Sequence, residues 1–427
     1  MVVTHIVGSH RAFAALTDAG AVFCWGDPEA GGDCKKVQDQ ISSGVREVCA
    51  SGAAFAALKI DGSLVTWGHR DYGGDSRSVR DELRNGVVCL CATESAFAAV
   101  KEGRTVITWG NSAHGGDSDA VKHRLTDVRQ VFSNKVAFTA VKGDGRIVCW
   151  GDAECGGDSS AIHDDLTEMD AAPILTIYSS PYAFAAQRAD GSLLTWGDPD
   201  SGGDSTRVCE ALQSRMERVF STDDAFAAIS SGERRERPQL ITWGDPASGG
   251  DSSSVRSLSS VSSVVDVAAT RSSFAALKQD GTVSCWGDPL SGGKAGQVQD
   301  QLVGVSKLQA TRAAFAALKQ DGSVVCWGDA KHGANVKSVA SIISSGVKDI
   351  FANNASFVAV KDNGGLVTWG DESQAASSVL PRVPDVHRIF ATKFAFALLR
   401  KNGSVLAWGD PTAGGDSTAL EKELAQT

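Results

Sequence analysis

The 427-residue chain is short of positive charge: 41 Lys and Arg against 51 Asp and Glu leave a formal net charge of −10. Gripping nucleic acid through its phosphates requires a clustered basic face, and this balance argues against one. No apolar run approaches the roughly 18–20 residues of a membrane span. Residues 1–16 lack the basic start and unbroken apolar stretch of a signal peptide. Ten cysteines are too sparse for a disulfide scaffold, so a cytosolic or nuclear setting is expected. Ten prolines exclude a proline-rich or collagenous chain. There is no H-E-x-x-H pair, no phosphate-cradling G-x-x-x-x-G-K-[ST] loop and no convincing Ser/His/Asp set. No enzyme chemistry and no cofactor are therefore expected.

The aromatic inventory is lopsided, with ten Trp and sixteen Phe but only three Tyr. Each tryptophan is followed by glycine, and successive tryptophans are 42, 42, 41, 46, 47, 43, 41, 42 and 39 residues apart. Each is preceded by a phenylalanine, 12 residues upstream in nine cases and 17 in the sixth, where Phe226 precedes Trp243. A fixed period of this length marks a repeat architecture. Residues 1–427 read as one domain of ten repeats of about 42 residues.

The fixed Phe-to-Trp segment reads as a β-hairpin. In the second repeat, Ala53 to Gly68, Asp61-Gly62 separates two apolar runs, and Asp-Gly favours a two-residue type I′ turn. That turn would pair Leu58 with Val65 and Ala56 with Trp67. It would also put Phe55 and Trp67 on opposite faces of the sheet. A further short β-like run precedes each hairpin, Val45 to Ala50 here. After the tryptophan comes W-G-D-P-x-x-G-G-D-S or a variant, then a Val and Leu four apart, such as Val79 and Leu83. That spacing after a polar cap predicts a short helical turn, with a distorted fourth strand as the alternative.

This order of motifs resembles the regulator-of-chromosome-condensation (RCC1-like) repeat. Val48 to Ser51, Ala54 to Leu58, Asp61-Gly62, Trp67-Gly68 and Gly73-Gly74-Asp75 follow that family's sequence of features. The resemblance spans all ten repeats and implies an all-β, β-propeller-like array of radial blades. An open β-rich superhelix is the alternative fold. Three departures stand out: Ala or Ser fills the family's histidine position, G-G-D-S replaces the G-Q-L-G tail, and ten copies exceed the usual seven. No split blade is visible that would clasp the first and last repeats together. Family exchange factors for small GTPases make nucleotide exchange an implied alternative function, although no equivalent of their GTPase wedge is found here. The family's plant ultraviolet-B receptor uses tryptophans in a G-W-R-H-T context that is absent, so these tryptophans read as core.

Comparing each residue with its nine counterparts sorts the remaining candidates. Cys24, Cys149, Cys285 and Cys326 share a slot filled elsewhere by Thr or Ala, which makes it a small packing position. His114 and His332 sit in a turn position held elsewhere by Ala30, Tyr72, Cys155 or Ser201. Asp27 with Asp33, Asp152 with Asp158, Asp198 with Asp204, and Asp245 with Asp251 flank glycine turns. They could ligate calcium, but Asp is also the ordinary turn-opener and helix cap. A glycan-binding role would need exposed aromatics. The informative places are where the repeat lapses: the G-G-D aspartate becomes Lys294, Asn335 and Ser377 in three consecutive repeats, with Lys331 and Lys337 nearby. The sixth hairpin carries the insertion Gly232 to Pro238, and the connection before the fifth, Asp170 to Pro181, is lengthened. Loops that depart from a regular scaffold commonly carry its function. The expectation is a non-catalytic protein-interaction scaffold whose partner contacts include Arg234, Arg235, Arg237, Lys294, Lys331, Asn335 and Lys337.

Overall fold

A computed structural model describes residues 2–162, 172–231, 238–255, 264–371, 379, 380, 383 and 385–418. The chain is all-β: ten antiparallel sheets, one per repeat, each with its strands in sequence order. Among the described residues nine sheets have three strands. The ninth gains a two-residue fourth strand, Val379–Leu380, on Leu366 and Val367. In most other repeats the expected short helical turn is found, as in Gln38–Ile41, Cys209–Leu212 and Ala340–Ile343, with Ile41, Leu212 and Ile343 buried. The sheets fall into two compact units, Met1–Pro173 with Asp385–Thr427 (repeats 1–4 and 10) and Ile174–Pro384 (repeats 5–9).

The hairpin is present, but its register differs from the expected one by one residue on the third strand. In the second repeat Leu58 pairs with Leu64 and Phe55 with Trp67. The turn holds three residues, Ile60 to Gly62. The Gly62 amide donates to the Lys59 carbonyl (3.0 Å) and the Lys59 amide to the Ser63 carbonyl (2.9 Å). Only Gly62, at φ +76°, is left-handed. This is a type I turn closed by a glycine bulge, not the type I′ turn that Asp-Gly suggested. Asp61 keeps an ordinary backbone because its carboxylate accepts from the Ser63 amide (2.9 Å) and hydroxyl (2.6 Å).

The corrected register decides the packing, because a one-residue slip moves a strand's side chains to the other face. Phe55 and Trp67 lie directly opposite and stack, with centroids 5.4 Å apart and an interplanar angle of 17°. All ten repeats have this stacked pair, at 5.1 to 5.5 Å. Phe55, Ala57, Val65 and Trp67 pack against Ala12, Ala14 and Val22 of the repeat before. On the other face Ala54, Ala56 and Leu58 pack beneath Phe97 and Trp109 of the repeat after. Large aromatics on one face and small alanines on the other let each sheet nest on the next at core packing density.

Among the described residues, a hydrogen bond fixes each of the eight joints that lie within a unit. In the first unit Trp67, Trp109 and Trp150 donate their indole N–H to the carbonyls of Gly31, Gly73 and Gly115 in the preceding repeat, each at 3.0 Å. Trp25 does the same to Gly414 at 3.0 Å, so the tenth repeat stacks on the first as any other pair does, without strand exchange. In the second unit Trp243, Trp286, Trp327 and Trp369 bond Gly202, Gly249, Gly292 and Gly333 at 3.0 to 3.1 Å.

At these eight joints the acceptor is glycine, and the space there suits nothing larger. Gly292 has φ +97°, and a Cβ there would lie 2.6 Å from Cδ2 of Phe315. Gly292→Ala therefore combines a left-handed alanine with overpacking and should cost about 2–4 kcal/mol. Gly296→Ala shares the positive φ (+54°) but meets nothing within 4 Å, and should cost about 1 kcal/mol. Urea unfolding followed by tryptophan emission checks this; equal losses would show that the Phe315 contact is not limiting.

Candidate functional site

The two ends of every sheet differ in kind. At one end lies the Asp-Gly hairpin turn. At the other, the turn between the first two strands meets the W-G-D-P-x-x-G-G segment, here termed the joint end. Among the described residues, a buried polar residue ties these two pieces together in nine of the ten repeats. Ser9 donates its hydroxyl to the Ala30 carbonyl (3.0 Å) and accepts from the Ala12 amide (3.0 Å). Thr93, Thr222, Thr270, Thr311 and Thr392 hold the carbonyls of His114, Ser248, Ser291, His332 and Ala413 in the same way. Asn134 does so with its side-chain amide on Cys155. Aligning the repeats would have exposed this position, since it is Ser, Thr or Asn in all ten.

The next residue along links neighbouring repeats by backbone alone. In the first unit the amides of Lys393, His10, Gly52 and Glu94 donate to the carbonyls of His10, Gly52, Glu94 and Lys135 at 2.7 to 3.1 Å. In the second unit Asp223, Arg271 and Arg312 donate to Arg271, Arg312 and Asn354 at 2.8 to 2.9 Å. The fifth repeat has Pro181 here, which has no N–H to donate.

The paired aspartates serve as caps. Asp27 accepts from the Glu29 amide and Asp33 from the Lys35 amide, both at 3.0 Å. Asp152 and Asp158 take the amides of Glu154 and Ser160. Asp198 and Asp204 take those of Asp200 and Thr206. Asp245 and Asp251 take those of Ala247 and Ser253. Among the described residues no three His, Cys, Asp or Glu side chains gather as a metal-binding set. The slot before the tryptophan is a packing position: Cys149 and Cys326 are buried, and burial pushes the thiols of Cys285 and Cys326 up to about 12. All ten tryptophans are buried.

Departures gather at the joint end of repeats 5 to 8. A cleft of about 1060 Å³ opens between repeats 5 and 6, the pair whose backbone link lacks a donor at Pro181. Asp198, Asp200, Asp204, Asp224, Asp245 and Asp251 line it, with Arg207 as its cation and Trp243 in its wall. Backbone and hydroxyl donors hold Asp204 and Asp251 below the usual carboxylate range. Asp224 moves the other way, raised by burial and then by Asp223 and Asp245, with the Ser201 hydroxyl opposing.

Repeats 7 and 8 carry the opposite charge. Lys294 is exposed just beyond the seventh repeat's glycine pair, and Lys331, Asn335 and Lys337 are exposed together around the eighth's. Asn335 still accepts from the Lys337 amide (3.3 Å), so it retains the turn that aspartate makes elsewhere. Arg271 and Arg312, which sequence comparison did not single out, are exposed on adjacent turns of the same end. Arg234, Arg235, Arg237 and Ser377 lie outside the described residues.

No family model matches the sequence, and no curated protein matches it either. Solved structures do. The CRINKLY WD40 ectodomain of the Arabidopsis thaliana receptor kinase ACR4 is 15% identical over 67% of this chain and 94% of that one, with a TM-score of 0.32. Prp20p from Saccharomyces cerevisiae, the yeast RCC1, is 13% identical over 96% of this chain and 82% of its own, at 0.34. The computationally designed Ika8 protein is 12% identical over 96% of both chains, at 0.31. Among the described residues no helix is long and apolar enough to cross a membrane.

Two expectations follow. A carboxyl whose folded pKa is raised destabilises the native state while ionised, and that penalty is relieved as pH falls through the folded value. Asp224→Asn should therefore raise the melting temperature at pH 7, with the advantage fading as the pH drops below the carboxylate range; a constant advantage at every pH would contradict the assignment. Of the ten thiols only Cys89 and Cys209 are exposed. A colorimetric thiol reagent should count at most two in the native protein and ten in denaturant.

Proposed function

We propose that this chain is a non-catalytic protein-interaction scaffold that engages its partners through the joint end of repeats 5 to 8. The observation that carries this reading is the contrast along the repeat. Polar groups that resemble catalytic or metal-binding sets are capping turns, while the exposed departures Lys294, Lys331, Asn335 and Lys337 fall on the joint end of consecutive repeats. A rigid core repeated ten times supplies a fixed platform, and its loops are free to differ. Lys294, Lys331, Asn335 and Lys337 belong to this surface; Arg234, Arg235 and Arg237, in the insertion between the two paired strands of the sixth hairpin, are proposed as a second, separate partner contact.

Affinity capture of the full chain from its native source tests the reading. Lys294→Glu combined with Lys331→Glu and Lys337→Glu should reduce a stoichiometric partner at least about ten-fold, as expected for charge reversal at a complementary interface. Gln279→Glu with Gln320→Glu, exposed on the opposite Asp-Gly end, should leave capture intact. Loss with the Gln279 and Gln320 variant but not with the three-lysine variant, or the absence of any stoichiometric partner, would overturn the proposal. A nucleotide-release assay against a panel of small GTPases should show no acceleration.

A further inference from the structure

The cationic half of this surface has the composition of a receptor for one kind of segment. Arg271 and Arg312 occupy the same position in consecutive repeats, and the Arg271 amide is bonded to the Arg312 carbonyl at 2.9 Å, so the two turns are locked side by side. Both arginines are exposed, as are Lys294, Lys331 and Lys337. Among the described residues none of these five cations is in an ion pair. The Arg271 guanidinium contacts the Ser272 hydroxyl at 3.4 Å and lies near enough to Asp224 to oppose the rise of that carboxyl, without forming an ion pair with it.

The aspartates in the same turns are already engaged. Asp288 accepts from the Leu290 amide (3.0 Å) and the Ser291 hydroxyl (2.7 Å), and Asp329 from the Lys331 amide (2.7 Å). Leu290, four residues before Lys294, is 80% exposed, the most exposed large apolar side chain described. The Thr270 hydroxyl, one residue before Arg271, bonds the carbonyl of Ser291, one residue after Leu290 (3.2 Å). The arginine turn and the leucine turn are thus held together.

We infer that the joint end of repeats 7 and 8 binds an acidic, apolar-containing protein segment, with Arg271 and Arg312 taking its carboxylates and Leu290 its apolar side chain. Guanidinium groups favour carboxylates through paired, charge-assisted hydrogen bonds. Nucleic acid fits less well, because a long strand would run on towards the acidic cleft of repeats 5 and 6 and be repelled, whereas a short acidic segment need not reach it. A phosphate backbone also offers nothing to Leu290. The inference rests on the reading that this end faces partners, and it names the chemistry of the segment bound.

Fluorescence anisotropy of the full chain tests it, using a labelled synthetic peptide of alternating Glu, Asp and Leu. The controls are its Leu-to-Ser version, a Lys/Arg version and a single-stranded oligonucleotide. The acidic Leu peptide should bind best, and Arg271→Gln with Arg312→Gln should weaken it about ten-fold or more. Leu290→Ser should weaken it about three-fold and should remove the preference for Leu over Ser in the peptide. Both variants alter exposed side chains, and an unchanged buried-tryptophan emission confirms their fold. No binding at about 0.1 mM protein, insensitivity to the arginine pair, or tighter binding of the oligonucleotide would each overturn the inference. If captured partners depend on Lys294, Lys331 and Lys337 while the acidic peptide does not bind, this inference fails and the scaffold reading stands. If capture ignores that end, the scaffold surface itself fails.

Discussion

The rest of the structure depends on one contact: an indole N–H donated to a glycine carbonyl of the neighbouring repeat, with a phenylalanine ring lying against that glycine. It sets several requirements at once. The phenylalanine and tryptophan must be cross-strand partners, so that the stacked pair presents a single flat wall. At the eight joints described the glycine has no room for a side chain, since a Cβ would enter the ring. The opposite face of each sheet must be small, so alanines recur at Ala54, Ala56, Ala96 and Ala98. A buried indole N–H would be costly if left unpaired, and the tight turn supplies its acceptor. This explains why the Phe-to-Trp interval is constant in nine repeats while the connecting segment varies.

The same constraint accounts for the charge pattern. Each glycine turn needs its flanking amides satisfied, and a carboxylate two residues back does this at Asp27, Asp33, Asp204 and Asp251. Much of the excess negative charge is therefore a by-product of capping. Where the cap is relaxed, at Lys294, the local charge can invert without disturbing the indole bond, and Trp327 still reaches Gly292.

The repeat count, the hairpin and the short helical turn were all legible in the sequence because each leaves a periodic signal. The register was not. Asp-Gly suits both a two-residue type I′ turn and a three-residue turn ending in a glycine bulge, and these differ by one residue. The Ser63 donors that hold Asp61 in place decide between them, and this is visible only with both strands present. Lys294, Lys331, Asn335 and Lys337 could be picked out because they break a column. Arg271 and Arg312 could not, because their column has no rule to break: it reads His10, Gly52, Glu94, Lys135, Pro181, Asp223, Arg271, Arg312, Asn354 and Lys393.

That column shows how such a scaffold can acquire a binding surface without loss of stability. Its residues join neighbouring repeats through backbone amide and carbonyl only, so their side chains are exempt from the packing that fixes the tryptophan and alanine columns. Substituting an exposed side chain of this kind changes stability little, yet each sits at a defined spacing from its neighbours. Pro181 marks the limit of the freedom. It alone removes the donor on which the link depends, and the cleft between repeats 5 and 6 opens at that joint. Variation in side chain recolours the surface, whereas loss of the amide coincides with a change in its shape. Repeats 5 to 8 contain both kinds of change side by side.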